Sequence, residues 1–577
     1  MLGNYIRDVH DGNLAGRFDL DDLTVSAREG GHARRIMASY TNWLQQHGQA
    51  AELAILRLIG LFDRPAPPEA MGALLADASM APYTGHLQRI GDENWAAAVG
   101  ALRDMGLLNK PILEWPGTID AHPLVREHFR ELVRGSDPNI WMQGNRTLFD
   151  FYQAQAPEPA STSAEMSQLY AAVTHGCASQ LYQDVFDKVL LPRVWRDRRT
   201  NFSTRRLGMT GSDLVALSNY FLPRQWEEIR AISLSQRARV LILTNAGVRL
   251  RQLGRLVDAR DCFGAVAGEI RTEVAEPEEF EDASYAAAQN CELLVIAGKL
   301  IKDLEKPGDE SGTALFSAMR AIEYSSRGQE PYFSMHAHST LGEVYFMLGQ
   351  LQKAGELFEQ AMSIERDRHP RPPFLYSQGL FRYGYFLIET GNAERVLSDA
   401  SANKSWGKNG EDSSLLSEAI RILILGAAHR ALIEAEPRDA TFLAETEKLL
   451  DQSINAFKYA GYSDYTARGL LERAHFYWIH GGPEYYRKAL RDLDDATIET
   501  DRGQMDILYT DVLLQHAACY MSYWRTMAGD EREEIREKVR HSLQEAAGRV
   551  DALDYGRRRA MLARLQDEAT EAGVLTQ

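Results

Sequence analysis

The densest run of residues suited to chemistry is PRVWRDRRTNFSTRRLG, in which Arg193, Arg196, Arg198, Arg199, Arg205 and Arg206 are interleaved with Trp195 and Phe202. Guanidinium forks match phosphate oxygens and aromatic rings stack on bases, so this segment is a candidate anion or nucleic-acid contact. The competing reading pairs the same arginines with acidic helices nearby. A net charge of −17, from 64 Lys and Arg against 81 Asp and Glu, argues against broad nucleic-acid binding and makes any basic site local. For catalysis the nearest approaches are THGC at 174–177 and SMHAHS at 334–339, each placing His beside Cys or Ser within a helix. Neighbours in a helix point about 100° apart, so such pairs form no relay by themselves. No H-E-x-x-H occurs, and His336 and His338 have the wrong helical separation for one metal. Cys177, Cys262, Cys291 and Cys519 lie far apart without zinc-ligand spacing and read as buried thiols of a reducing compartment. These residues predict no metal, no cofactor and no enzymatic activity.

The elements behind these residues are helical and repeated. A chain of 577 residues exceeds a single core, so either several cores or one extended array is required. In HSTLGEVYFMLGQLQKAGELFEQAMSI the small residues Gly342, Gly349, Ala354 and Ala361 alternate with Tyr345 and Phe358 at the spacing of a tetratricopeptide repeat. Gly342 and Ala354 let two helices approach, Gly349 turns the chain, and Tyr345 and Phe358 fill the interface. The pattern recurs in ILTNAGVRLRQLGRLVDARDCFGAVA through Gly247, Gly254, Ala259 and Phe263, and more weakly through Ala474, Tyr477, Gly481, Tyr486 and Leu490. The expected class is mainly α, with a small winged-helix domain followed by a tetratricopeptide-like solenoid of paired antiparallel helices. Its expected divisions are a helical lead-in at 1–48, a winged-helix-like domain at 49–135, a helical adaptor at 140–235 and the array at 236–577. Within the second division, helices around AELAILRLIGLF and NWAAAVGALRDMG precede LLNKPILEWPGTIDAH, which predicts two short strands around Pro116 and Gly117. The helix placed to enter a major groove carries Asp92, Glu93 and Asp104 against Arg103, the wrong charge for DNA. RDRHPRPPF at 366–374 reads as a stiff turn between repeats. No signal-peptide core or membrane span is evident, which predicts a cytoplasmic protein.

The order GHARRIMASYTNWL, AILRLIGLFDRPAPPEAMGALL, DAHPLVREHF and then helical repeats resembles the C-terminal half of STAND-type NTPases, bacterial relatives of the NB-ARC and NACHT immune sensors. In that family a histidine of a Met-His-Asp-like motif at the winged helix touches bound nucleotide. The resemblance maps this role onto His122, with Ala121 and Pro123 replacing the flanking residues. A position before a helix N-terminus suits an anion, and equally suits a simple helix cap. The chain lacks G-x-x-x-x-G-K-[ST], so nucleotide binding would have to come from elsewhere. The resemblance therefore implies a non-catalytic sensor that takes a protein or peptide ligand in its solenoid and couples it to a P-loop NTPase or effector, in bacterial defence or stress signalling. The alternative is a tetratricopeptide-containing transcription regulator or nucleic-acid adaptor that uses the Arg193–Arg206 cluster.

Overall fold

The computed structural model describes residues 31–575 apart from 112, 199, 231, 232, 272, 303–309, 369–374, 376, 407–414 and 527–530. Most of the expected lead-in, Arg199 and much of the 366–374 turn thus lie outside the described residues. The chain divides into two compact units between Ser212 and Asp213.

The first unit holds α1 (Gly31–Gln46), α2 (Ala50–Ile59), α3 (Pro68–Ala76), α4 (Asp92–Asp104), α5 (Pro123–Ser136), α6 (Pro138–Gln155) and α7 (Ser163–Ala178), with short helical segments between α3 and α4 and a further helical segment at Phe186–Trp195. The strand pair expected around Pro116 and Gly117 does not form among the described residues. Leu113 is 97% exposed and Trp115 56%, so the segment has no apolar face to bury, and Pro111 and Pro116 lack donors. What forms instead is a two-bond bridge from the α2–α3 connection. Ala66 N–H donates to Ile119 O at 2.8 Å and Ile119 N–H to Ala66 O at 3.0 Å, while Asn109 N–H reaches Asp120 O at 2.8 Å.

The second unit is a mainly α solenoid of paired antiparallel helices. A hairpin of β1 (Phe221–Leu222) and β2 (Gln225–Ile229), not anticipated from sequence, precedes it. The pairs are α8 (Gln236–Gln252) with α9 (Leu256–Glu269), α10 (Pro277–Ile296) with α11 (Ala314–Ser325), and α12 (Pro331–Met347) with α13 (Leu351–Arg368). They continue as α14 (Gln378–Glu389) with α15 (Ala393–Trp406), α16 (Leu415–Ala435) with α17 (Ala440–Ala460), α18 (Ser463–His480) with α19 (Pro483–Gly503), and α20 (Asp506–Trp524) with α21 (Glu531–Ala552). A final helix, α22 (Arg559–Glu571), follows.

The repeat residues sit where small-against-large packing needs them. A methyl group on Gly342 would stand 3.1 Å from the Phe358 ring, and one on Gly247 would stand 2.7 Å from Phe263. Ala259, Ala354, Phe358 and Ala361 are fully buried, whereas Tyr345 is half-buried at the edge with Lys353 over its ring. Gly254 and Gly349 end their first helices with φ of +73° and +74°, a conformation that favours glycine.

The solenoid closes on itself. Turns that are far apart in sequence meet at 252 and 461, 298 and 506, and 349 and 556, separations of 209, 208 and 207 residues. Two of these contacts are close enough to exclude a side chain: a methyl group on Gly461 would lie 2.1 Å from the Gln252 carbonyl oxygen, and one on Gly556 would lie 2.2 Å from that of Leu348. The first, second and third pairs therefore stack on the sixth pair, the seventh pair and α22. One superhelical turn takes five pairs, about 72° each. Gly556→Ala should lower the midpoint of thermal unfolding, by an amount equivalent to roughly 2 kcal/mol or more. Gly548→Ala, where a methyl group meets nothing within 4 Å inside α21, should leave it unchanged or raise it. Equal effects from the two substitutions would refute the closure contact.

Candidate functional site

Tight winding brings the first helices of the pairs together at the superhelix axis, and what they place there is charged. Glu292 of α10 is fully buried. Its Oε2 accepts from Arg251 Nη1 of α8 at 2.9 Å, Gln378 Nε2 of α14 at 2.9 Å and Arg382 Nη2 of α14 at 3.3 Å. Its Oε1 accepts from the Tyr465 hydroxyl of α18 at 2.8 Å and stands 3.7 Å from Arg468 Nη1. Arg251 also donates to Asp464 at 2.6 Å and to Gln289 at 2.8 Å, and Arg382 donates to Glu343 Oε2 of α12 at 2.8 Å. Burial by itself would raise the Glu292 carboxyl; Arg251 and Arg382 instead hold it far below the carboxylate range. Three arginines thus face three carboxylates with little water between them.

Beyond Arg382 and Arg468 a cavity of about 50 Å³ opens between α12, α14, α18 and α20. Glu343, Glu472 and Asp511 face Arg382, Arg468, Arg557 and Arg558 on its lining, and Phe346, Phe381, Leu471 and Ile507 are among its apolar walls. One side is closed by Tyr555, Arg557 and Arg558. The Tyr555 hydroxyl donates to Asp511 at 3.1 Å, Arg558 Nε to Asp511 at 2.7 Å, and Arg557 Nε to Glu389 at 2.9 Å. Two polar atoms on this lining have no hydrogen-bond partner, Arg468 Nη1 and Glu343 Oε1. The Arg468 guanidinium is held over the Phe381 ring at 4.5 Å and the Tyr465 ring at 5.1 Å. The recess thus combines charged side chains with apolar walls, the composition of a ligand pocket. Among the described residues no group of three or more His, Cys, Asp or Glu is placed to hold a metal ion, and no helix is long and apolar enough to cross a membrane.

The residues singled out from sequence lie elsewhere. His122 is exposed at the start of α5, where its Nδ1 accepts from Leu124 N–H at 3.2 Å, a helix cap. In the arginine cluster, Arg193 donates to the carbonyls of Gln153 and Ala156 at 2.8 Å each, and Arg196 donates to that of Ala160 at 2.9 Å while its guanidinium lies over the Phe202 ring at 3.3 Å. These two brace the connection after α6, a role neither sequence reading foresaw. Arg198 is half-buried, and Arg205 and Arg206 are exposed. The four cysteines are buried. The axial residues escaped notice because no motif marks them. Their signal is a lone charge inside a helix apolar on every side, as in AAAQNCELLVIAG around Glu292 and GLFRYGYFLI around Arg382.

No family model and no curated protein matches the chain. Among solved structures it is similar to a signal transduction ATPase with numerous domains (STAND) from Pyrococcus horikoshii that has a tetratricopeptide repeat sensor, with a TM-score of 0.38 and 14% identity over 99% of this chain and 71% of that one. It is also similar to a Rap protein complexed with competence and sporulation factor, with a TM-score of 0.35 and 12% identity over 72% of this chain and 100% of that one. Likenesses of this strength carry no functional argument.

Two outcomes follow from the axial network. Glu292→Gln strips three arginines of their shared counter-charge and should destabilise the second unit by about 3 to 5 kcal/mol in chemical unfolding, whereas Arg468→Met, which breaks no hydrogen-bonded ion pair, should cost clearly less. The second concerns pH. Burial, then the neighbouring Arg382, lowers the pKa of His336 to about 3, and its Nε2 lies 3.2 Å from Gln378 Oε1. The fold therefore keeps His336 neutral. Below about pH 6.5 the unfolded chain binds a proton that the folded chain refuses, so stability falls as the medium is acidified, by roughly 2 kcal/mol at pH 5. His336→Asn should flatten the unfolding midpoint between pH 6.5 and 5; an unchanged profile would contradict this origin.

Proposed function

We propose that the chain is a non-catalytic scaffold and sensor that receives a protein or peptide ligand at the axis of its solenoid. The observation that carries this reading is the axial cavity, whose lining from α12, α14, α18 and α20 combines arginines and carboxylates with apolar side chains. The surrounding ion pairs hold the recess in shape, so binding sacrifices little conformational entropy.

In the fuller version of the proposal, occupancy is passed to a partner that binds nucleotide, a STAND-type NTPase or effector in bacterial defence or stress signalling. The support is the residue order of the lead-in, the α2 to α5 block and the repeats, together with the absence of a phosphate-cradling loop from this sequence. The nucleic-acid alternative loses force because Arg193 and Arg196 spend donors on backbone carbonyls.

The test is affinity capture from the native host with the intact chain, in parallel with Gln515→Trp, which fills the cavity from its half-buried rim. A specific protein or peptide retained by the wild-type chain and lost by the folded variant is the expected result. A P-loop protein in the same eluate would support the coupling. Capture unaffected by the filled cavity, or nucleic acid as the retained species, would overturn the reading.

A further inference from the structure

We infer that the axial cavity seats an apolar, uncharged side chain of the protein or peptide ligand. The inference rests on the reading that the ligand is received at this cavity, and it names the part of the ligand that enters.

The lining carries polar side chains, but they are spent on one another. Glu343 accepts from Arg382 Nε at 2.8 Å, Asp511 from Arg558 Nε at 2.7 Å, and Glu472 from Arg430 Nε at 3.1 Å and from the Tyr385 hydroxyl. Arg557 Nε donates to Glu389 at 2.9 Å, and Arg468 Nη1 lies 3.7 Å from Glu292. The Tyr555 hydroxyl donates to Asp511, and Gln515 accepts the Trp478 indole N–H at 3.0 Å. Every charge on the lining thus has a counter-charge within the chain. Arg468 Nη1 and Glu343 Oε1 present no surface to a water-sized group, so neither adds a contact for a ligand.

What the lining leaves free is hydrocarbon. Met347, Leu471, Ile507 and Leu508 supply it from three different helices, α12, α18 and α20, beside the rings of Phe346 and Phe381. An anionic ligand would compete with Glu343 and Asp511 for guanidinium groups they already hold, and breaking a buried pair is strongly unfavourable. A cationic ligand would meet Arg557 and Arg468, whose guanidinium groups lie over the Phe346 and Phe381 rings at 4.3 and 4.5 Å. A neutral amide or hydroxyl would leave its water behind and find no partner. An apolar side chain gives up no hydrogen bond on entry and removes its own surface from water. The space, about 50 Å³, exceeds the roughly 10 to 15 Å³ that a single water needs.

The experiment uses the intact chain with N-acetyl-leucine methylamide, its near-isosteres N-acetyl-asparagine methylamide and N-acetyl-aspartate methylamide, and toluene, followed by saturation-transfer NMR and by calorimetry at several temperatures. The leucine compound should bind about ten-fold or more tightly than either near-isostere. Its heat-capacity change should be negative, the mark of apolar burial. Leu471→Asn should erase the preference, whereas Leu471→Met, which keeps the wall apolar, should hold the affinity within about three-fold. Should Leu471→Asn fail to fold, Gln515→Trp replaces it and should abolish binding of the leucine compound. Equal or tighter binding of the asparagine or aspartate compound would overturn the assignment, as would leucine binding indifferent to these variants. Toluene bound without the leucine compound would also overturn it, by marking a free small molecule as the occupant. Failure here is separable from failure of the scaffold reading. A partner captured by the wild-type chain and lost with Gln515→Trp, but retained equally by Leu471→Asn, would remove the apolar anchor and leave the scaffold standing.

Discussion

Glu292 is the residue on which the geometry of the second unit turns. Placing one carboxylate at the centre of a helical array is costly unless every lone pair is occupied, and here the first, fourth and sixth pairs all send donors to it. An axis lined with leucine could be as stable, since buried ion networks seldom exceed well-packed apolar groups in net energy. Leucines, however, tolerate sliding. Hydrogen bonds at 2.8 and 2.9 Å do not, and they fix how close each first helix comes to the axis and so how tightly the array curls. The five-pair turn is on this view a consequence of where the charges are.

The same curl accounts for the glycines at the stacking contacts. In an open array each repeat touches its neighbours and stability is close to a sum of nearest-neighbour terms. Contacts between residues about 208 positions apart add a long-range term, tying the first three pairs to the last part of the chain. Local unfolding of one pair then strips contacts from a pair one coil away. Closure also explains why Tyr555, Arg557 and Arg558 can wall the axial cavity although they belong to the C-terminal part of the chain.

Much of the architecture was legible in the residues, and the reason is steric. Gly342 against Phe358 and Gly247 against Phe263 are small-to-large pairs whose spacing has no other purpose, and the structure places each pair in contact. The strands expected around Pro116 and Gly117 do not form because a short apolar stretch beside a Pro-Gly turn looks the same whether or not a partner covers it, and exposed Leu113 has no such cover. The axial site was hidden for a different reason. Arg251 and Asp464 are 213 positions apart, and no local pattern reports that a coil will close and bring them to 2.6 Å.

The closure also changes what a solenoid's inner surface can recognise. A broad concave groove reads a ligand along its length, through many weak contacts. Here the chain's own side chains, Glu292 and its partners, occupy part of the axis, and a cavity lies beside them. Recognition concentrated at one small recess gains its selectivity from the polar groups on its lining rather than from area, because a wrong group leaves a buried donor or acceptor unsatisfied at about 1 to 3 kcal/mol each. A pre-formed recess penalises the mismatched ligand more than it rewards the matched one, and for a sensor that asymmetry is the useful property, since it suppresses response to the many peptides that merely fit.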